Sequence, residues 1–193
     1  MKKSVLAIIA LVVVCGIFVV SKYNSMVSLD ENVTKVWADV EAAYQRRADL
    51  IPNLVATVKG YAEHEKSTFE AVTEARAKVS SMNINVDELT EENLAKYMEA
   101  QSQLTGALSR LIAVSESYPE LKASEQFSEL QAQLEGTENR INEVRKLFNA
   151  AAQEYNVAVR KFPGNIIAGF FGFERRAEFK AEAGAEKAPT VAF

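Results

Sequence analysis

The sequence predicts an all-α protein: a single N-terminal transmembrane helix continuing into an up-and-down bundle of three to four long antiparallel helices, kinked at Pro52. Three observations carry this. Lys2 and Lys3 precede an uncharged apolar run, Ser4–Val20. Downstream, apolar residues recur at spacings of three and four, with no alternating stretch that reads as a strand. Near the end, Phe127, Leu134, Ile141, Phe148, Tyr155 and Phe162 stand seven residues apart, the signature of a coiled-coil-like seam.

As a helix, Ser4–Val20 is about 26 Å long against a hydrocarbon core of roughly 30 Å. A cleaved secretory signal starts in the same way. Val19-Val20-Ser21 makes a poor cleavage site, so a retained anchor over residues 1–21 is expected. Lys2 and Lys3 before the span put the N-terminus in the cytoplasm and the rest outside. Setting those two lysines aside leaves 20 basic against 26 acidic residues, a net of −6. That opposes nucleic-acid binding, which requires neutralising phosphates. Cys15, the one cysteine, lies in the span, so no disulfide is available to the exported part.

The first helix is long. Val19, Met26, Val33, Val40, Leu54 and Tyr61 share one heptad position, and Tyr23, Trp37, Tyr44, Ile51 and Val58 share a second. The register crosses from span to soluble part without a linker. Pro52 interrupts it, lacking the donor for its i−4 carbonyl. The period resumes with Leu54 and Val58 and then Phe69, Val72 and Val79, which predicts a kink; a chain reversal at Pro52 is the alternative. Met82–Leu89 reads as a loop. Thr90 can cap the next helix, with Glu91 and Glu92 at its positive end. That helix carries Leu94 to Ile112 and stops before Tyr118-Pro119. Ser124 can cap the last long helix, so residues 22–162 form the bundle.

Pro163-Gly164-Asn165 then breaks the helix. A Gly/aromatic segment follows over 163–173, with Ile166, Ile167, Phe170, Phe171 and Phe173. It either folds back on the bundle or docks on another subunit, a partner or the bilayer. An Ala/Glu-rich flexible tail is expected over 174–193, with little to bury.

Arg47 falls on the heptad position of Val40 and Leu54, where the seam should be apolar. It reads either as a surface residue on a rotated helix or as a semi-buried guanidinium paired from the last helix, with Glu135, Glu138 and Asn139 as candidates. An anionic-ligand site at Arg46 and Arg47 is a third reading. His64 is the only histidine, flanked by Glu63 and Glu65, which opposes a phosphotransfer role. One His and one membrane Cys cannot build a zinc or di-iron centre. No nucleophile elbow and no phosphate-cradling loop is present, so neither catalysis nor a cofactor is expected.

The blocks YNSMVSLDENV (Tyr23–Val33), QRRADLIPNLVATVKGYAEHEKSTFEAVTEARA (Gln45–Ala77), YPELKASEQF (Tyr118–Phe127), LEGTENRINEVR (Leu134–Arg145) and FPGNIIAGFFGF (Phe162–Phe173) together resemble the LemA family. Phe148-Asn149 stands where that family commonly has Tyr-Asn. The resemblance implies a single-pass bacterial membrane protein with an extracytoplasmic bundle and no established activity. Genes of members often neighbour those of membrane-bound zinc proteases or small envelope domains. Two functions are therefore expected as alternatives: a non-enzymatic scaffold that forms homo-oligomers, or a monomeric adaptor for another envelope protein such as a membrane protease.

Overall fold

The computed structural model describes residues 3–82 and 84–180. Lys2, Asn83 of the expected loop and the tail beyond Lys180 lie outside the described residues. Among the described residues six α-helices follow in order: α1 (Lys3–Lys59), α2 (Lys66–Ser80), α3 (Glu91–Ala113), α4 (Pro119–Lys122), α5 (Glu125–Arg160) and α6 (Gly164–Phe171). No strand occurs among them.

α1 carries the apolar run and the first bundle helix as one rod, about 85 Å long at 1.5 Å per residue. Val5 to Val20 are exposed along the run, and burial begins at Met26. From there α1 packs antiparallel against α5, with Trp37 against Phe148 (ring centroids 5.3 Å apart) and Arg47 against Glu138. Met26, Val33, Val40, Ile51, Leu54 and Val58 are buried, as are Phe127, Leu134, Ile141, Phe148 and Tyr155. Tyr23, Tyr61 and Phe162 are the exceptions, all three exposed. α5 ends at Arg160, so Phe162 leaves the seam and stands 75 % exposed.

Pro52 does not reverse the chain. It sits on the exposed side of α1, and the helix passes through it. Pro52 has no N–H to give the carbonyl of Ala48, four residues back. That carbonyl instead accepts from Nε of Arg76 on α2, at 3.1 Å. The expected continuation of the period to Val79 is corrected by the fold: the reversal comes at Gly60–Glu65. Gly60 lowers helix propensity there, and Ala62 tucks in with its N–H on Val58 O at 2.9 Å. An unbroken helix would leave Phe69, Val72 and Val79 without partners; turned back, they are buried with Leu104, Leu108 and Leu111 of α3. The bundle thus has four long helices, α1, α2, α3 and α5.

The capping residues act as the sequence predicts. Thr90 Oγ1 accepts from Asn93 N–H at 3.1 Å and Ser124 Oγ from Phe127 N–H at 3.4 Å. At the distal end, Tyr118 donates to Glu65 at 3.3 Å and ties two loops together.

The Gly/aromatic segment forms a short helix. α6 buries Gly164, Ile167 and Ala168 against the bundle and closes at Gly172, whose φ of 77° favours glycine. A Cβ on Gly164 would lie 2.6 Å from the Ala158 carbonyl oxygen, so the close approach of α6 to α5 requires glycine there. Of the tail expected to be flexible from 174, residues 174–180 instead run back along the bundle, burying Ala177 and Phe179.

If Arg76 serves the carbonyl that Pro52 orphans, the two substitutions must couple. Arg76→Met alone is expected to cost about 1–2 kcal/mol. In a Pro52→Ala background, where the residue-52 N–H returns, the same change is expected to cost less than half as much. Thermal melts of the four proteins in detergent, followed by circular dichroism, read the cycle; additive effects contradict it.

Candidate functional site

The heptad register of α1 turns Arg47 into the interior, where it is 2 % exposed. Its Nη1 donates to Glu138 Oε1 at 2.7 Å and to Thr105 Oγ1 at 3.0 Å. Its Nη2 donates to Gln101 Oε1. The guanidinium also lies over the Tyr44 ring, 5.2 Å from the centroid. Thr105 is held for this role by its own hydroxyl bond to Gln101 O at 3.0 Å. Beside the cluster, burial pushes the Tyr97 hydroxyl well above the ordinary tyrosine range.

Of the residues named from sequence, Glu138 meets Arg47, while Glu135 and Asn139 stand exposed on other faces of α5. Successive helical residues are rotated by about 100°, so only Glu138 of the three turns toward α1. Gln101 and Thr105 escape sequence reading because nothing in the α3 pattern fixes which of its polar residues face inward. Arg46, the other half of the anionic-site reading, points to solvent. A cavity of about 220 Å³ adjoins the cluster, reaching Asn142 and Arg145. Beside the Arg47–Glu138 pair its lining holds the Gln101 and Asn142 amides and the Ser102 and Thr105 hydroxyls. His64 is exposed at the distal turn, and among the described residues no three His, Cys, Asp or Glu side chains come close enough to hold a metal.

A second polar assembly, unforeseen from sequence, fastens residues 174–180. Arg176 makes a two-point ion pair with Asp30, Nε to Oδ1 at 2.9 Å and Nη2 to Oδ2 at 3.0 Å, and its Nη1 reaches Val86 O at 3.3 Å. Asn156 grips the Arg176 backbone twice, accepting from its N–H and donating to its C=O, both at 2.9 Å. Asn149, one heptad earlier, grips Phe179 in the same way, at 2.8 Å each. The Phe179 ring enters the core beside Trp37 and Phe148, with the Arg145 guanidinium 4.9 Å from its centroid. Burial, with the Asp30 charge adding to it, raises the Tyr155 hydroxyl to about 12. One signal did exist. Asp30 occupies the companion heptad position of α1, as polar an interruption as Arg47.

The third group of candidates is divided by α6. Ile167 is buried on the bundle and cannot dock on another molecule, which removes it from the expected contact set. Phe173 is half-buried against Tyr23, 5.5 Å between centroids. Phe171 also packs on Tyr23, at 4.8 Å. Ile166 and Phe170 remain 62 % and 83 % exposed.

These two polar assemblies predict large, separable losses of stability. Glu138→Ala leaves a buried guanidinium without its counter-charge and is expected to cost about 2–4 kcal/mol, the partial exposure of Glu138 holding it at the lower end. Arg47→Met combined with Glu138→Leu is expected to recover most of that loss. Each kcal/mol lowers Tm by about 2–4 °C in a chain of this size. An unchanged Tm for Glu138→Ala contradicts the buried pair. Arg176→Ala is expected to cost about 2–3 kcal/mol, to release residues 174–180, and to bring rapid exchange to the Phe179 amide; hydrogen exchange at that amide checks it.

A profile of the LemA family matches residues 36–193. The magnetosome protein MamQ 2 of Paramagnetospirillum magneticum is 28 % identical over 97 % of this chain and 74 % of its own length. The magnetosome protein MamQ of Magnetospirillum gryphiswaldense is 28 % identical over 89 % of this chain and 68 % of its own. Protein LemA of Metamycoplasma hominis is 25 % identical over 83 % and 71 %. The apolar, fully exposed start of α1 fits a single membrane pass, and the seam, caps and polar assemblies described above all lie in or next to the matched region: the chain belongs to the LemA family.

Proposed function

We propose that the protein is a non-enzymatic, membrane-anchored scaffold that self-associates at the bacterial envelope, its N-terminus cytoplasmic and its bundle extracytoplasmic. Lys2 and Lys3 ahead of the apolar run support the orientation. The observation that carries self-association is a groove of about 440 Å³ along the α1–α5 seam. Ala42, Ala43 and Gly136 line it, with Asp39 on one side and Arg46 and Arg140 close by. Glycine inside a helix costs about 1 kcal/mol relative to alanine. Apart from its chain neighbours and its own stretch of helix backbone, nothing described lies within 4 Å of where a Gly136 Cβ would stand, so packing within the subunit gives no reason for it. Close approach by a second copy does, and a groove carrying both signs of charge can face its own image across a two-fold axis. Confinement to one plane by the span raises the effective concentration of subunits. None of the relatives reported above bears an enzyme's name.

A second surface favours the adaptor reading. Leu94, Ala95 and Met98 of α3 floor a groove of about 770 Å³ whose rim carries Glu91, Glu92, Glu99 and Glu178 against one cation, Lys180, which pairs with Glu91. A basic amphipathic helix of another envelope protein, such as a membrane protease, has the complementary chemistry.

Size exclusion with light scattering on the detergent-extracted protein separates the two. A defined multi-subunit mass that Gly136→Trp reduces to the monomer, with Tm unchanged, is the outcome expected of the scaffold. A monomer before substitution contradicts it and turns attention to the α3 groove.

A further inference from the structure

α6 stands where α1 leaves its apolar run. Gly164, its first residue, lies against Met26 of α1, with the methionine methyl 2.9 Å from the position of a Cβ. Phe171, its last, packs on Tyr23, three residues beyond Val20. The face of α6 turned toward the bundle is filled by Ile167 and Ala168. The opposite face presents Ile166 and Phe170, and Phe162 stands beside it just before the helix. Ile166 and Phe170 stand one helical turn apart on that face, and Phe162 lies in the short connection that leads into it, near where the span ends. They differ from the scattered exposed apolar residues of an ordinary surface, which need no explanation. Lys22 and Lys161 border the same spot, and Arg160 precedes it. This is a basic edge on a chain that is acidic overall.

The geometry points to α6 as an interfacial anchor: a short helix lying in the head-group layer of the same bilayer that α1 crosses, with Phe162, Ile166 and Phe170 entering the acyl boundary. The inference rests on the reading of α1 as a span. Three features of the site support a lipid surface as occupant. It is continuous with the membrane segment, so these side chains meet lipid with no movement of the bundle. Phenylalanine is among the side chains that in-plane helices bury at the boundary of head groups and acyl chains. Lys22, Arg160 and Lys161 suit anionic head groups. α6 is apolar on both faces, and the bundle covers the one that in an ordinary in-plane anchor is polar and faces water, leaving the other free for lipid. The bundle would then be attached at two points, and α6 would fix its tilt and rotation on the membrane.

The test uses the full-length chain in vesicles of phosphatidylethanolamine and phosphatidylglycerol. Cys15→Ser frees the chain of its own cysteine. Phe170→Cys, at a position 83 % exposed and outside the core, is then labelled with an environment-sensitive fluorophore. Val12→Cys serves as the span control, and Leu147→Cys, on the outer surface of α5, as the aqueous control. The expected result is blue-shifted emission at 170 with loss of emission when lipids carry a quencher near the head group. Emission at 12 is lost to a deep quencher, and emission at 147 to neither. Quenching at 12 without quenching at 170 overturns the anchor and leaves the span. A blue shift at 170 that no lipid quencher touches also overturns it, assigning the patch to a protein contact. Quenching at neither 12 nor 170 removes the span and the anchor together.

Discussion

The antiparallel pairing of α1 with α5 is the constraint on which the rest of the molecule depends. It runs from Met26 and Ala158 near the apolar end to Leu54, Val58 and Phe127 at the far end. Two helices alone cannot enclose a core, because each buries one stripe and leaves the sides of the seam open. The chain closes the two halves of this seam by different means. Toward the far end, the α2–α3 hairpin supplies the missing walls, with Val72, Leu104, Leu108 and Leu111. The lower end of that hairpin reaches only as far as Trp37, whose Nε1 meets Ile84 O at 3.4 Å, and Val86, which meets Arg176. Nearer the apolar run there is no third long helix among the described residues. The C-terminal segment takes its place, with Ile167, Ala168, Ala177 and Phe179 joining the same core as Met26, Val33 and Trp37.

This division explains why the segment after α5 is bound by polar groups as well as apolar ones. A stretch such as 174–180 has few apolar side chains and, outside any helix, backbone N–H and C=O groups that need partners when buried. Asn149 and Asn156 meet that need. A carboxamide offers one donor and one acceptor side by side, and each grips the backbone of one tail residue. Their spacing of seven on α5 matches a separation of three residues in the tail. Two turns of helix advance about 10 Å, and three extended residues advance the same distance. The Asp30–Arg176 pair then joins this tail to α1, so that α1, α5 and the tail are linked at one level.

Most of the helical architecture is legible in the sequence. Heptad spacing locates the α1 and α5 seams because a long amphipathic helix repeats its signal many times. Thr90 and Ser124 are legible as caps because the capping chemistry is local. Chain reversal is not legible, since Val58, Phe69 and Val72 keep an apolar period across Gly60–Glu65 that a turn and a helix satisfy equally. Arg47 is visible as a polar intrusion and Glu138 falls within its candidate set, but Gln101 and Thr105 do not: their inward orientation depends on how α3 rotates against α1. Asn149 and Asn156 are invisible for a different reason. Each serves backbone atoms, and backbone atoms carry no sequence signal. Arg176 falls in a stretch whose composition suggests a loose tail.

The polar interruptions answer a problem that the apolar seam creates. A strict seven-residue repeat is nearly degenerate to sliding: α5 moved by one heptad still sets a large apolar side chain against the positions of α1 that need one. Such a slip shifts the helix by about 10 Å. Buried polar groups remove the degeneracy. One heptad out of register, Arg47 faces Gln131 or Arg145 in place of Glu138. An amide offers it no counter-charge, a second guanidinium repels it, and a buried guanidinium left unpaired costs several kcal/mol. Asp30 acts in the same way one level lower, because the native register brings Tyr155, Asn156 and the tail beside it. The consequence reaches the end of α5. α6 begins four residues after Arg160, so the register of the seam sets the height of α6 above the apolar run. With the seam pinned at Asp30 and Arg47, Phe171 meets Tyr23; one heptad out, the same helix would lie about two turns away from that level. The charged pairs inside the bundle therefore fix a position outside it, where α1 leaves its apolar run.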